Sequence, residues 1–597
     1  MAFCGPDAHA IHSMGDKIGS KILAKKAGVN IIPGFLGEVR NNAEVLKVAH
    51  EIGYPVMVKA SSGGGGKGMR VAWNDEELLE GYQLSKQEAA SSFGDDRMLI
   101  EKYIDNPRHI EIQVLCDGQG TSLYFPERDC SVQRRNQKVI EESPSSFLDE
   151  ATRHAMGKQA VMLADAVGYK SAGTVEFMCD SQRNFYFLEM NTRLQVEHPI
   201  TEMITGVDIV EHMFDVAAGR RLRLQQKDLK INGHAFESRV YAEDPLRGYL
   251  PSIGRLVAYQ EPSMPPAQLG DVRVDSGILE GSEISIYYDP LIAKLITHGE
   301  SRAHALQTMS WALDNYVIRG VTNNVNLLRD LTVQPDFVAG HVTTKFLPTH
   351  YPTGYHGHVL TPAEQRELQA CAAVLEYRKW LVARSVDGQQ PSAELRDDYA
   401  HTYMVTLPSA AADGAAAAAS PVHVRLSDDD DHSGTSYFHV RFADGTEADL
   451  MTASPVASPL FVVQFAGEPN DATRTLQIHE QLDEGFTLQY AGSLYDVIVR
   501  SERAEALAKH MPVKVVADMS NYLVSPMPGT LISFSVKEGD TVLPHTALCV
   551  IEAMKMQNVL RSETTGRVKS IKVKPGQAVS VDQILIEFEK AELDNKL

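Results

Sequence analysis

Residues 109–115 read His-Ile-Glu-Ile-Gln-Val-Leu, and this alternation of polar and apolar side chains predicts a strand with two unlike faces. Apolar runs at 54–60, 98–104, 174–178 and 185–190 predict further strands, the last two joined by the turn residues Asp180 to Asn184. Residues 149–167 predict a helix. Strand and helix patterns mix as far as residue 350, which predicts an α/β or α+β enzyme core. One stretch fits neither pattern: Ser61-Ser62-Gly63-Gly64-Gly65-Gly66-Lys67-Gly68 is too rich in glycine.

Beyond residue 350 the pattern changes. Residues 360–385 predict a helix, and strands at 437–442, 460–465 and 486–490 predict a small β-rich, barrel-like domain over 351–518. A low-complexity loop over 409–434 interrupts it, alanine-rich first and acidic at Asp428 to Asp431. Residues 501–519 read as a linker with a short helix at 502–510. The C-terminal stretch repeats itself. Gly529-Thr530-Leu531, Val536 to Val542 and Leu548 to Ile551 are answered by Gly566-Arg567-Val568, Val573 to Val579 and Leu585 to Phe588. Two similar four-strand halves facing each other predict a β-sandwich over 519–591, with Met554-Lys555-Met556 at an exposed hairpin tip.

Charge and composition narrow the partners. The 597 residues predict about four domains, and the net charge of −21 argues against nucleic acid as the main partner. The six cysteines are scattered without a CxxC pair, which fits a reducing compartment and offers no zinc site. No apolar run reaches the ~18 residues of a membrane span, so no membrane partner is expected. The first residues read as neither a signal nor a transit peptide.

A surface lysine needs no methionine on either side, so a lysine held between two of them on a hairpin marks a site for a modifying enzyme. Glu552-Ala553-Met554-Lys555-Met556, preceded by Ser525-Pro526-Met527-Pro528-Gly529, resembles the biotin carboxyl carrier domain. The resemblance implies biotin on Lys555, attached by a biotin protein ligase. Lipoyl domains share that fold but carry their lysine between other residues.

Biotin's ureido nitrogen is a weak nucleophile and bicarbonate a weak electrophile, so an energy source is required, and ATP is the plausible one. No Walker-A pattern is present. The backbone of the 61–68 loop, with Gly64, Gly65 and Gly66, is suited to wrapping phosphate oxygens, and a strand carrying Lys59 precedes it. Glu176 and Glu189 on successive strands, followed by Asn191, offer oxygen ligands for Mg²⁺ or Mn²⁺. Residues 189–199 then crowd five polar groups behind a strand end. A plain glycine-rich linker and an incidental carboxylate pair are the alternative readings of the first two signals.

With the blocks at 14–17, 106–111, 127–135 and 241–245, these features resemble the ATP-grasp biotin carboxylase family. That resemblance implies nucleotide contacts from Lys17, Lys59, His109 and Gln133, with Glu101, Lys102 and Ile104 along the adenine. It implies metal binding by Glu176, Glu189 and Asn191, and bicarbonate contacts from Lys138, Arg193, Gln195 and Val196. Glu197 becomes the base, kept ionised by nearby Arg193, and Arg239 steadies the biotin enolate. The domain order resembles the α subunits of acyl-CoA carboxylases. Residues 273–278 and 314–321 look closest to the propionyl-CoA carboxylase branch. In that branch a separate β subunit holds the carboxyltransferase. The implied complex is an α–β hetero-oligomer of the mitochondrial matrix, passing carboxybiotin to β for conversion of propionyl-CoA to methylmalonyl-CoA. A methylcrotonyl-CoA acceptor, or a biotin-accepting and β-docking fragment without carboxylase activity, are the alternatives. Members of the family begin earlier, with a Rossmann-like subdomain. The expected architecture is therefore an ATP-grasp biotin carboxylase over 1–350 without its N-terminal part, a docking domain and a carrier.

Overall fold

The computed structural model describes residues 2–61, 68–285, 288–384, 400–408, 418–427, 435–467, 473–512, 519, 521–553 and 556–590. The strand Arg108–Cys116 shows why the first domain folds as it does. Ile110, Ile112, Val114 and Cys116 bury against Met156, Ala160, Leu163 and Ala164 of the helix Glu150–Ala166. The opposite face, His109, Glu111 and Gln113, is buried as well. Buried polar groups need partners, and these come from neighbouring strands of the same sheet.

That sheet is antiparallel and runs in the order Asp271–Ser276, Leu291–Gly299, His234–Tyr241, Gln137–Ser143, Arg128–Arg134, Arg108–Cys116, Ser171–Cys179, Phe185–Asn191, with Ser122–Tyr124 hydrogen-bonded to Arg108–Cys116 at one side. Above it stands a three-stranded sheet of Met69–Ala72, Val56–Ala60 and Met98–Lys102. The helices Asn42–Ile52 and Asp75–Phe93 cover this small sheet with Val45, Val48, Leu78 and Tyr82. Asn41 and Asn74 cap them, their side chains accepting from the N–H groups of Glu44 and Glu77. Gly64, Gly65 and Gly66 lie outside the described residues.

Eight strands from His401–Thr406 to Ser493–Ser501 close into a barrel. The helix Pro362–Arg384 packs its interior: Leu368, Ala370, Cys371, Ala372, Ala373, Val374 and Tyr377 are all buried, so the middle of the helix is enclosed on every side. The stretch 409–434 is not one loop. Ser420–Leu426 is a barrel strand, with Val422 and Val424 inward and His423 and Arg425 between them. The composition of its flanks concealed this short alternation; 409–417 and 428–434 themselves lie outside the described residues. The barrel is bound to the first domain through Gln477, which is 1% exposed. Its amide donates to the Asp314 and Tyr316 carbonyls at 3.0 Å and accepts from Arg319 at 2.8 Å.

The C-terminal unit is a sandwich of two four-stranded sheets. The two repeats do not form one sheet each. Thr541–Val542 of the first repeat joins Gly566–Ile571 of the second, and Ala578–Val579 of the second joins Gly529–Phe534 of the first. Exchange of one strand in each direction lets Val542 and Val579 enter a common core. Ala547–Ala553 and Met556–Arg561 form the hairpin around Lys555, which lies outside the described residues, as does Met554. All six cysteines are free. No helix among the described residues is long and apolar enough to cross a membrane.

Candidate active site

A cleft of about 720 Å³ opens between the small sheet and the large one. Its small-sheet wall is partly apolar, with Met57, Val71 and Leu99, and Met178 and Leu188 lie on the other side. Its large-sheet floor is polar. Lys17, Lys59, Lys102, Ile104, His109, Gln133, Lys138, Glu176, Glu189, Asn191, Arg193, Gln195, Val196 and Arg239 all reach it. Sequence reasoning singled out these residues from separate stretches of the chain, and the fold gathers them into one cleft.

Three predicted positions sit differently: Glu101, Arg193 and Glu197, which is fully buried and is not among the residues lining the cleft. Glu101 does not line the cleft. Its carboxylate lies beneath Lys59, at 2.9 Å, and Lys21, which both line the cleft. A strand alternates its faces, so Glu101 shares the side of Leu99 and is covered there by the two lysines, while Lys102 starts from the side of Ile100. The Lys102 ammonium is held by the Gly53 and Tyr54 carbonyls at 3.0 and 2.9 Å. The second is Arg193. It contacts Gln195 at 3.0 Å and Asn191 at 3.4 Å, and it is not what keeps Glu197 ionised. That work falls to Lys138 and Arg239.

Glu197 is fully buried, at the start of the helix His198–Thr205. Lys138 donates to its Oε1 at 2.5 Å and Arg239 to its Oε2 at 2.9 Å. Burial alone pushes this carboxyl up, but the Lys138, Arg239 and Arg128 charges outweigh it and hold the group well below the usual carboxylate range. Lys138 also donates to Glu111 at 2.6 Å and to Glu176 at 3.2 Å. Against burial, these three carboxylates raise the Lys138 pKa well above its ordinary value. Arg128 is fully buried below them and donates to Glu111, to Gln113 and Thr201 at 2.9 Å and to Thr174 at 3.2 Å. Glu111 and Arg128 were not predicted. Their signal is the polar face of the 109–115 alternation, which had to meet a charged partner once buried.

Glu176 and Glu189 stand opposite each other on adjacent strands. Asn191 and Gln195 donate to Glu176 Oε1 at 2.8 and 3.0 Å. His109 Nε2 lies 3.0 Å from Glu176 Oε2, while its Nδ1 meets the Gln133 amide at 2.9 Å. Two carboxylates and an amide oxygen are hard donors, the set that Mg²⁺ takes beside nucleotide phosphates. Lys17, 3.8 Å from Glu189, and Lys59 place cations at the same end of the cleft.

Four families match consecutive parts of the chain. Residues 16–225 match the carbamoyl-phosphate synthase L chain ATP binding domain, and 237–349 the biotin carboxylase C-terminal domain. Residues 368–514 match the propionyl-coenzyme A carboxylase BT domain, and 521–588 the biotin-requiring enzyme family. The mitochondrial propionyl-CoA carboxylase alpha chain of Mus musculus is 51% identical over 594 residues, covering 99% of this chain and 78% of that one. The mitochondrial methylcrotonoyl-CoA carboxylase subunit alpha of the same organism is 36% identical, covering 99% and 80%. Among solved structures, the biotin carboxylase domain of Hydrogenobacter thermophilus 2-oxoglutarate carboxylase, in complex with MgADP, ADP and bicarbonate, matches with a TM-score of 0.57. It is 47% identical and covers 59% of this chain and 76% of that one.

Proposed function

The chain belongs to the propionyl-CoA carboxylase alpha-chain family of biotin-dependent carboxylases, and from that membership we propose how its residues divide the work. It is a biotin carboxylase, a ligase that uses ATP, Mg²⁺ and biotin. Its biotin is carried on Lys555, attached by a biotin protein ligase. The carboxyl group passes to a separate β subunit, which converts propionyl-CoA to methylmalonyl-CoA, in the mitochondrial matrix. The identity of 51% to a propionyl-CoA carboxylase chain against 36% to a methylcrotonoyl-CoA carboxylase chain supports that acceptor. The 368–514 match supports β docking through the barrel.

The reading of the site rests on one arrangement: a sealed carboxylate, Glu197, held by Lys138 and Arg239, which line the cleft together with Glu176, Glu189 and Asn191. Those last three would hold Mg²⁺, which neutralises phosphate charge during phosphoryl transfer. Biotin supplies a tethered ring able to take up and carry a carboxyl group. Lys17, Lys59, His109 and Gln133 bind the nucleotide. Arg193, Gln195 and the Val196 backbone orient bicarbonate. Glu197 accepts the bicarbonate proton once Lys138 gives way to the incoming anion, leaving a nucleophilic oxygen for the γ-phosphate. Arg239 stays fixed by Glu141 Oε1 at 2.6 Å and faces the cleft as a preorganised cation for developing negative charge. ADP release from the purified chain tests this. It is expected to depend on bicarbonate, and bicarbonate-independent hydrolysis would count against the assignment of Glu197.

A further inference from the structure

Glu237 lies on the strand His234–Tyr241, two residues before Arg239, and is fully buried. Among the described residues, neither of its carboxyl oxygens meets a hydrogen-bond donor. Its partner across the sheet is Glu141, also fully buried. Glu141 Oε1 accepts from Arg239 Nε, while Oε2 has no donor among the described residues. Opposed residues hold their β-carbons about 4.5–5.5 Å apart, so two carboxyl groups share one dry space.

The neighbouring cations are engaged elsewhere. Lys294, opposite Arg239 on the strand Leu291–Gly299, is bound to Asp275 and to the Val196 carbonyl, both at 3.0 Å. Lys138 is taken by Glu111, Glu176 and Glu197, and Arg239 by Glu141 and Glu197. A second bare carboxylate beside Glu141 would have neither water nor a donor. Burial and the Glu141 charge both push the Glu237 carboxyl well up.

We propose that Glu237 is a neutral carboxylic acid whose O–H donates to Glu141 Oε2, and that this bond fixes the Glu141 carboxylate and, through it, the Arg239 guanidinium. Glu237 touches no substrate and is a positioning residue. The inference rests on the role proposed above for Arg239.

The test compares the full biotinylated chain with its Glu237→Gln and Glu237→Leu variants, measuring ATP-driven fixation of labelled bicarbonate onto the protein and the KM for ATP. The leucine variant is expected to lose about 10- to 100-fold in kcat, the scale of a misplaced catalytic group, with the KM for ATP unchanged. Glutamine has the same shape and still donates, so it is expected to recover most of that rate with an unaltered pH profile. Glutamine as damaging as leucine would mean that the negative charge is needed and would overturn the proposal. A leucine variant as fast as the parent would remove the positioning role. If the leucine variant does not fold, glutamine alone decides, since an ionised Glu237 predicts a slowed enzyme with a displaced pH profile. A parent chain that fixes no bicarbonate would instead refute the functional reading.

Discussion

Arg239 and Glu197 are joined by a 2.9 Å ion pair inside the fold, although 42 residues separate them in sequence. The pair links the group proposed to stabilise developing charge to the group proposed to take the proton. The two functions are therefore electrostatically coupled, and changing one changes the other.

Arg239→Ala removes the fixed cation. Loss of one such preorganised group costs on the order of 10²–10³ in rate, so carboxylation is expected to fall by that factor. Arg239 pairs with Glu141 and Glu197 and not with Lys17 or Lys59, the proposed nucleotide contacts, so ATP affinity is expected to stay unchanged. Comparing kcat with nucleotide Kd checks this; equal loss of both would show that Arg239 is misassigned.

The same change alters the pH response. Glu197 is held below its unfolded value of 4.5 by Lys138, Arg239 and Arg128 against the cost of burial. A depressed carboxyl stabilises the fold above pH 4.5, and that contribution disappears as pH falls through the folded value. Without Arg239 the Glu197 pKa rises. The acid limb of bicarbonate-dependent ATP turnover is therefore expected to shift to higher pH in Arg239→Ala, and the variant is expected to unfold at a higher pH during acid titration. An unmoved limb would separate Glu197 from the rate.

Glu189 is partly exposed and, among the described residues, its carboxylate pairs with Lys17 at 3.8 Å, so Glu189→Gln is expected to leave the melting temperature unchanged. As a proposed metal ligand it should nevertheless raise the Mg²⁺ concentration needed for ATP turnover, by at least the ~10-fold that weakened metal sites show. Titrating activity with Mg²⁺ reads this directly.

Gln477→Leu removes one side chain that satisfies two main-chain carbonyls and the Arg319 guanidinium between the barrel and the first domain. Buried groups left without partners cost about 1–3 kcal/mol each. Calorimetry of the full chain is expected to show a barrel transition moved to lower temperature, while bicarbonate-dependent ATP turnover holds. A single unchanged transition would show that the junction does not depend on Gln477.

Much of this was legible in the chain itself. Alternation at 109–115 and the paired strands ending in Glu176 and Glu189 announced the floor of the cleft, because period two is a local property. The duplicated C-terminal segments announced a sandwich. Strand exchange between the repeats did not show, because Thr541–Val542 and Ala578–Val579 are each only two residues long and their partners are chosen by tertiary packing. Ser420–Leu426 was hidden by alanine and aspartate on either side. The ion pairing of Glu197 also eluded the sequence: Arg193 is near it in sequence, whereas Lys138 and Arg239 reach it only once the strands Gln137–Ser143 and His234–Tyr241 pair and the helix His198–Thr205 packs on them. For the same reason the turn of Glu101 toward Lys21 and Lys59 was invisible.

The most direct measurement follows labelled carbon from bicarbonate onto the protein. The chain is coexpressed with a competent biotin ligase, then incubated with ATP, Mg²⁺ and labelled bicarbonate. The account predicts an avidin-reactive chain that takes up label only when ATP is present, and a Lys555→Arg variant that loses both avidin reactivity and label. A parent chain that never becomes avidin-reactive, or that takes up label equally well without ATP, would contradict it.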